Sequence, residues 1–396
     1  MKTPLDGIRI LDLSILLAGP FGTMILGDLG AEIIKIERPP KGDSSRHMPP
    51  HFIGGESADY LSMNRNKKSI TLDLKKPDGI EIFRDLVKQA DVVWDNFRPG
   101  VMERLGIDHA RVREINPKII SCSISGFGQS GPYRERPAFD LVVQAMGGVM
   151  SYTGEEDGQP VRMGAPLGDL GGGIFGAMGV LAALQERHRT GVGQMVDVAM
   201  LDVQISLQIY RALYYWLSGE IPTPVGAGHV SAVPIDLFRT ADHGIVIDAN
   251  TEEVFARLCK ALGRPEWTTD PNFRDRMARW HNKKELLNAI QNILLSKTRA
   301  QWLEILIEHE VPCGPVNSVA DILNDRHVAE RPMMVTTQHP TAGPLKLLSS
   351  PMKFPAHGEL PIQPPPLLGQ HTSEILSGLL GLSADRLEAL KAKGVT

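Results

Sequence analysis

The sequence predicts an α/β protein, with a Rossmann-like, doubly wound parallel sheet in a large domain and a smaller α+β domain besides. Three observations carry this reading. Over residues 9–125, short apolar strands alternate with helix-length segments, the mark of repeated βαβ units. Over residues 139–217 the pattern turns helical. A Pro/Gly-rich stretch at 221–228 then separates this half from a segment of different character.

Arg9-Ile10-Leu11-Asp12-Leu13 reads as the first strand. Gly19-Pro20 opens a helix over 21–29, which Gly30 ends, and Glu32-Ile33-Ile34-Lys35-Ile36-Glu37 is the second strand. Strand, helix and strand at this spacing require a right-handed crossover and parallel pairing. The unit recurs as strands over 69–74, 91–97 and 118–125, with helices over 79–90 and 101–105. Three helices follow, over 141–150, 173–187 and 196–217. Beyond residue 225, strands over 237–240 and 244–248 flank Ala241-Asp242-His243 as a hairpin. Helices over 252–262, 283–295 and 299–309 come next, and a Pro-rich stretch at 358–368 precedes the C-terminal helices.

A chain of 396 residues with 42% hydrophobic and 22% charged residues has the composition of a globular protein of two or three domains. Its net charge of -4 gives no general attraction to nucleic acid or to an anionic membrane, so neither is expected as a partner. Cys122, Cys259 and Cys313 are far apart and form no disulfide framework, which points to a reducing, cytoplasmic compartment. Asp6 and Arg9 interrupt the start, so no secretory leader is read there. The longest apolar run, 174–184, falls short of the roughly 20 residues of a membrane span.

The segment Pro-Leu-Gly-Asp-Leu-Gly-Gly-Gly-Ile-Phe-Gly-Ala-Met-Gly, residues 166–179, poses the functional question. Gly171, Gly173 and Gly176 have the spacing of a dinucleotide loop, but no clean strand precedes them and no strand with an acidic residue follows. Close helix packing is the competing explanation. Asp169, just before the glycines, reads either as a helix N-cap or as a nucleophile placed near free N–H groups that would stabilise developing negative charge. His47 and His51 are separated by Pro49-Pro50 and make a poor metal pair; no metal site is expected. The basic cluster Asn64-Arg65-Asn66-Lys67-Lys68, with Lys75-Lys76 behind it, reads as a solvated loop or as a pocket for a phosphorylated ligand. Arg38 follows the second strand, at the sheet edge where such folds bind ligands.

Together these pieces resemble the class III CoA-transferases of the CaiB/BaiF type, the family of formyl-CoA and acetyl-CoA:oxalate CoA-transferases. The resemblance runs over nearly the whole chain. Residues 4–13, Ala18-Gly19-Pro20, residues 30–39, residues 64–69 and Asp95-Asn96-Phe97-Arg98-Pro99-Gly100 carry it, as do Ser125-Gly126-Phe127-Gly128, Pro351-Met352-Lys353-Phe354 and Pro366-Leu367-Leu368-Gly369. It implies that Asp169 is the nucleophile and that Arg38, Leu72, Lys75, Asn96, Phe97 and Arg104 contact coenzyme A. It implies acyl-CoA and carboxylic acid substrates, no permanently bound cofactor, and an interlaced homodimer. The large domain would then comprise 1–224 and return over 331–396, with the small domain at 225–330. An α-methylacyl-CoA racemase of the same fold is the alternative activity. Such enzymes resemble this chain but place a histidine where Phe139 stands, and Phe139 cannot shuttle a proton. A CoA-binding protein without catalysis is a further alternative. Formyl-CoA transferase has glutamine at the position of Leu17 and tyrosine at that of Phe139, and its glycine-rich lid has no counterpart here. A short-chain or dicarboxylic acid acceptor is therefore expected, its second carboxylate recognised by Arg134, Arg136 or His229.

Overall fold

The computed structural model describes residues 3–358 and 360–396. Its centre is a sheet of six parallel strands: Arg9–Asp12, Glu32–Glu37, Lys67–Thr71, Val92–Asp95, Ile120–Ser125 and Met195–Ala199. Taken in chain order, they stand in space as third, second, first, fourth, fifth and sixth. Ile10 is flanked by Ile33 on one side and Val92 on the other, so the order reverses beside the first strand. At such a reversal the connections leave in opposite directions, opening a crevice at the C-terminal edge of the sheet.

Both faces of the sheet are covered, and the strands Arg9–Asp12, Glu32–Glu37 and Val92–Asp95 carry apolar residues on both sides. Ile10, Ile33, Val92, Trp94, Ile120 and Cys122 pack into one layer with the helices Ala18–Asp28, Leu167–Thr190 and Met200–Ser206. Leu11, Ile34, Ile36, Ile70 and Val93 enter the opposite layer with Phe83, Leu86, Val112, Leu376 and Leu390. Neighbouring residues of one strand thus serve two cores, as the alternation of side chains requires.

Three features depart from the sequence reading. The third strand is Lys67–Thr71, two to three residues earlier than expected. The expected helix over 196–217 begins instead with the sixth strand, where Val196 and Val198 pair beside Cys122 and Ile124. Only then does the chain coil into Met200–Ser206 and Tyr210–Ser218. The long helix starts at Leu167 and runs 24 residues to Thr190, so it is long and apolar enough to cross a membrane even though its longest unbroken apolar run is short. Here its glycines and Ala177, Val180 and Ala183 pack against the helix Ala18–Asp28 and the sheet, while Ile174, Phe175, Met178 and Leu181 stay exposed.

The chain divides into two compact units. The first takes the residues up to Val149, then Arg162–Leu213 and Ala329–Thr396. The second takes Met150–Val161 and Tyr214–Val328, so the divisions fall at 213/214 and 328/329 where the sequence suggested 224/225 and 330/331. Within the second unit, the strands Ile235–Arg239, Gly244–Asp248 and Cys313–Pro315 form an antiparallel sheet. Phe238, Ile245 and Ile247 pack from it against Phe255, Leu258, Leu286, Ile290, Trp302 and Leu306.

Candidate active site

The crevice at the C-terminal edge of the large sheet is a groove of roughly 480 Å³. Leu13 and Ile15 follow the first strand into it, Arg38 the second, Leu72 and Lys75 the third, and Phe97 the fourth. Val101, Arg104 and Leu105 close one side from the short helix Val101–Leu105. The floor is apolar, and the edge carries Arg38, Lys75 and Arg104, with Asp73 beside Arg38 at 3.6 Å. Lys75 and Arg104 also border an adjoining open groove with Lys76, Arg84 and Lys88, where Glu81 and Asp85 stand among the bases and Asp85 pairs with Lys88 at 2.7 Å. An apolar slot with a basic edge suits a ligand that joins a flat ring system to phosphates.

Five of the six residues expected to contact coenzyme A therefore share one groove: Arg38, Leu72, Lys75, Phe97 and Arg104. Asn96 is the exception. Its side-chain nitrogen donates to the Ile15 carbonyl at 2.8 Å, and its oxygen accepts the Ile15 N–H at 2.9 Å. Both ends of the amide are committed to the backbone of the loop that follows the first strand, and Asn96 does not line the groove.

That loop, residues 14–17, lies between two cavities. Ile15 faces the groove, while Leu16 and Leu17 border a second cavity of roughly 1070 Å³ that also holds Phe139 and Asp169. Leu16 is left-handed, with φ of 64°, a conformation that a branched side chain adopts only under outside constraint. The constraint is buried and ionic. Asp43 accepts the Leu16 N–H at 3.0 Å and pairs with Lys35 at 2.9 Å, and Lys35 donates to the Ser14 carbonyl at 2.7 Å. Lys67, from the basic cluster, is not a solvated loop residue but a buried partner of Asp12 at 3.2 Å. Burial alone would raise the Asp12 carboxyl, yet Lys67, Lys35 and the hydroxyls of Ser14 and Thr23 hold it down at about 2.

Asp169 is the third residue of the helix Leu167–Thr190, whose N-cap position is Pro166, so it is not the cap. Asp140 takes that role from the start of the helix Asp140–Met146, accepting the Gly168 N–H at 2.8 Å and the Asp169 N–H at 3.4 Å. These two N–H groups are consequently not free to stabilise a reaction intermediate, as the sequence reading allowed. Burial pushes the Asp169 carboxyl up to about 7, and the charge of Asp140 adds to the rise. A poorly solvated carboxylate of this kind is a stronger nucleophile than one in water.

The glycines after Asp169 answer the question their spacing raised. All lie inside the helix, not in a strand-to-helix turn. A Cβ on Gly173 would stand 2.7 Å from the Ala18 carbonyl oxygen, and one on Gly176 would stand 2.7 Å from the Trp94 ring. They exist so that the helix can approach its neighbour and the sheet, and the dinucleotide reading falls.

The sequence signature of CoA-transferase family III matches residues 5–372, spanning the groove, the loop and Asp169 alike. The chain belongs to CoA-transferase family III. This family III enzyme is 39% identical over 392 residues to a succinyl-CoA:glutarate CoA-transferase of Mus musculus, covering 99% of this chain and 90% of the relative. It is 41% identical to an acetyl-CoA:oxalate CoA-transferase of Acetobacter aceti, over 84% of this chain and 86% of the relative. Among solved structures, a CaiB/BaiF family protein from Brucella suis superposes with a TM-score of 0.85 at 34% identity, covering 96% of this chain and 100% of that one. The enzyme is a CoA-transferase by family, and its relatives by name use CoA thioesters and dicarboxylic acids.

Two of the residues suggested for a second carboxylate have partners outside the Asp169 cavity. Arg134 pairs with Glu103 at 3.1 Å and donates to the Gln129 carbonyl, and Arg136 lies 4.5 Å over the Tyr133 ring. Neither lines the Asp169 cavity, and His229 belongs to the second unit. Sequence reasoning missed Asp140, although it adjoins Phe139, which was weighed. It also missed Gln144 and Gln204, buried amides that carry no spacing signal.

Proposed function

We propose that this CoA-transferase moves CoA from an acyl-CoA thioester to a short-chain or dicarboxylic acid, with Asp169 as the covalent nucleophile. The observation that carries the reading is the pairing of a desolvated, unneutralised carboxylate with a basic-rimmed groove on the other side of one pinned loop. The groove would hold the nucleotide end of CoA through Arg38, Lys75, Arg104, Leu72 and Phe97. Asn96 would act by fixing Ile15. The pantetheine arm would then pass the loop toward Asp169.

The Asp169 carboxylate attacks the thioester carbonyl and expels CoA as its thiolate, leaving an acyl-aspartyl anhydride. The thiolate attacks the aspartyl carbonyl and releases the donor acid, giving an aspartyl-CoA thioester. The acceptor carboxylate attacks that thioester, forming a second anhydride and freeing the thiolate again. Attack of the thiolate on the acceptor carbonyl yields the new acyl-CoA and restores the Asp169 carboxylate. CoA bound far from the reacting carbon supplies the energy that keeps each partner in place between steps. The names of the relatives favour a dicarboxylic acceptor. Racemisation gains no support, since Phe139 offers no base at the position where a histidine would serve.

A matrix of acyl-CoA donors, including succinyl-CoA and acetyl-CoA, against glutarate, oxalate and monocarboxylic acids tests this. Mass spectrometry should find a new acyl-CoA for at least one dicarboxylate. Proton exchange at the α-carbon with no exchange of CoA in any pair would overturn the reading in favour of a racemase.

A further inference from the structure

Asp140 is buried, with only 8% of its surface exposed, and its two oxygens meet only donors. One oxygen receives the Gly168 and Asp169 N–H groups; the other accepts the Gln144 amide nitrogen at 2.7 Å. The orientation of Gln144 is fixed in turn, because its oxygen accepts the Met163 N–H at 3.0 Å. Three donors thus converge on the Asp140 carboxyl group. Gln204 stands beside the same backbone, fully buried and with neither amide atom hydrogen-bonded: a Cβ at Gly168 would lie 3.0 Å from the Asp140 oxygen and 3.4 Å from the Gln204 nitrogen.

Among the described residues no cation pairs with either acid: Arg65 borders the Asp169 cavity with Asp28 and Asp59, but it is bound to Asp28 at 2.5 Å. The helix Asp140–Met146 brings no other charge, and the helix Met200–Ser206 brings uncharged Gln204, its Asp202 being exposed. The helix Ala18–Asp28 carries a single charged residue, Asp28, in its last position. The strand Ile120–Ser125 has none. Among the described residues, the charge that acts on Asp169 is that of Asp140.

We propose that Asp140 is a positioning residue for Asp169: it fixes the first turn of the nucleophile's helix, and its unneutralised charge favours the states in which Asp169 is uncharged, the anhydrides and the aspartyl-CoA thioester. This rests on the covalent reading above and extends it. The free enzyme holds two carboxylates at one helix end. Acylation removes one charge, and the repulsion ends with it. The elevated Asp169 carboxyl, at about 7, agrees with this arrangement. The helix N-terminus stays capped throughout, so relieving the repulsion costs no structural support.

The test uses two variants that keep an acceptor for the Gly168 N–H but carry no charge, Asp140→Asn and Asp140→Ser. Each is mixed with succinyl-CoA and quenched at intervals from pH 5 to 9, and the enzyme-bound thioester is quantified by hydroxylamine trapping and mass spectrometry. In the unaltered enzyme, acylation should rise with pH through a midpoint near 7. Both variants should move that midpoint down by about one unit and lower the trapped thioester about tenfold. A purely structural role would reduce acylation evenly at every pH. An unmoved midpoint in a folded variant that still acylates would therefore overturn the proposal. If the unaltered enzyme forms no adduct at Asp169, the covalent reading fails instead, which keeps the two outcomes distinct.

Discussion

At the residue scale, Asp169 is a side chain whose placement favours chemistry at the expense of stability. Its carboxyl is raised to about 7 in the folded protein, against about 4 for an unfolded aspartate. Between these values the folded chain keeps a proton that the unfolded chain releases, so this residue's contribution falls as pH rises through the window and stays low above it. Asp169→Asn should thus abolish transfer while stabilising the fold by roughly 2 kcal/mol at pH 8, about half the full linkage value because the carboxyl opens on a cavity. The gain should vanish near pH 4. Urea unfolding at both pH values measures it; an equal gain at both would show that burial of charge is not the cause. Asp12 runs the opposite way. Lowered to about 2, its ionised form stabilises the fold above about 4, a contribution lost as pH falls through 2. Asp169 was visible in the sequence because a carboxylate precedes a run of small residues. Asp140 was not, since a partner 28 residues away is brought to the same helix end only by folding.

At the element scale, the long helix shows why local propensity misled. Glycine disfavours helix, so Gly168 and the triplet Gly171-Gly172-Gly173 hid the true start at Leu167. Tertiary contact decides otherwise, because only a residue without a Cβ fits against the Ala18 carbonyl. Gly173→Ala should therefore destabilise the chain by roughly 2 kcal/mol through backbone overpacking. Gly378→Ala, on a helix where a Cβ meets open space, should stabilise by about 0.5–1 kcal/mol. Thermal unfolding of the two variants makes the comparison, and equal effects would contradict it. The sixth strand was misread for a related reason. Val196 to Leu201 is continuously apolar apart from Asp197, and no glycine or proline marks the change from strand to helix at Met200. The loop after the first strand offers a functional contrast. Arg104→Ala should raise KM for acyl-CoA about tenfold with kcat little changed, as loss of uniform binding does. Asn96→Ala, which frees Ile15, should lower kcat more than it raises KM. Steady-state kinetics would refute the division of roles if the two variants behaved alike.

At the scale of the whole molecule, the first five strands and their parallel pairing were legible because each is a short run bounded by turn residues or a helix, whereas their order in the sheet was not. The groove was legible in part: five of its lining residues could be named, while the apolar contributions of Leu13, Ile15, Val101 and Leu105 arise only when the sheet edge is assembled. Assembly is a further matter. Trp216, Leu217 and Ile221 are each at least three-quarters exposed, and Phe139 and Met178 more than half. Together with the interlaced homodimer that the family resemblance implies, these surfaces lead to the expectation of a dimer whose sedimentation stays concentration-independent down to nanomolar protein. A monomer–dimer equilibrium in the micromolar range would contradict interlacing. The central claim, however, concerns one oxygen atom of one side chain, and a single measurement reaches it directly. Incubating the enzyme with succinyl-CoA, adding hydroxylamine and mapping the peptides by mass spectrometry should locate one hydroxamate, on Asp169. A hydroxamate on any other carboxylate, or CoA transfer that proceeds undiminished in Asp169→Ala, would contradict the account.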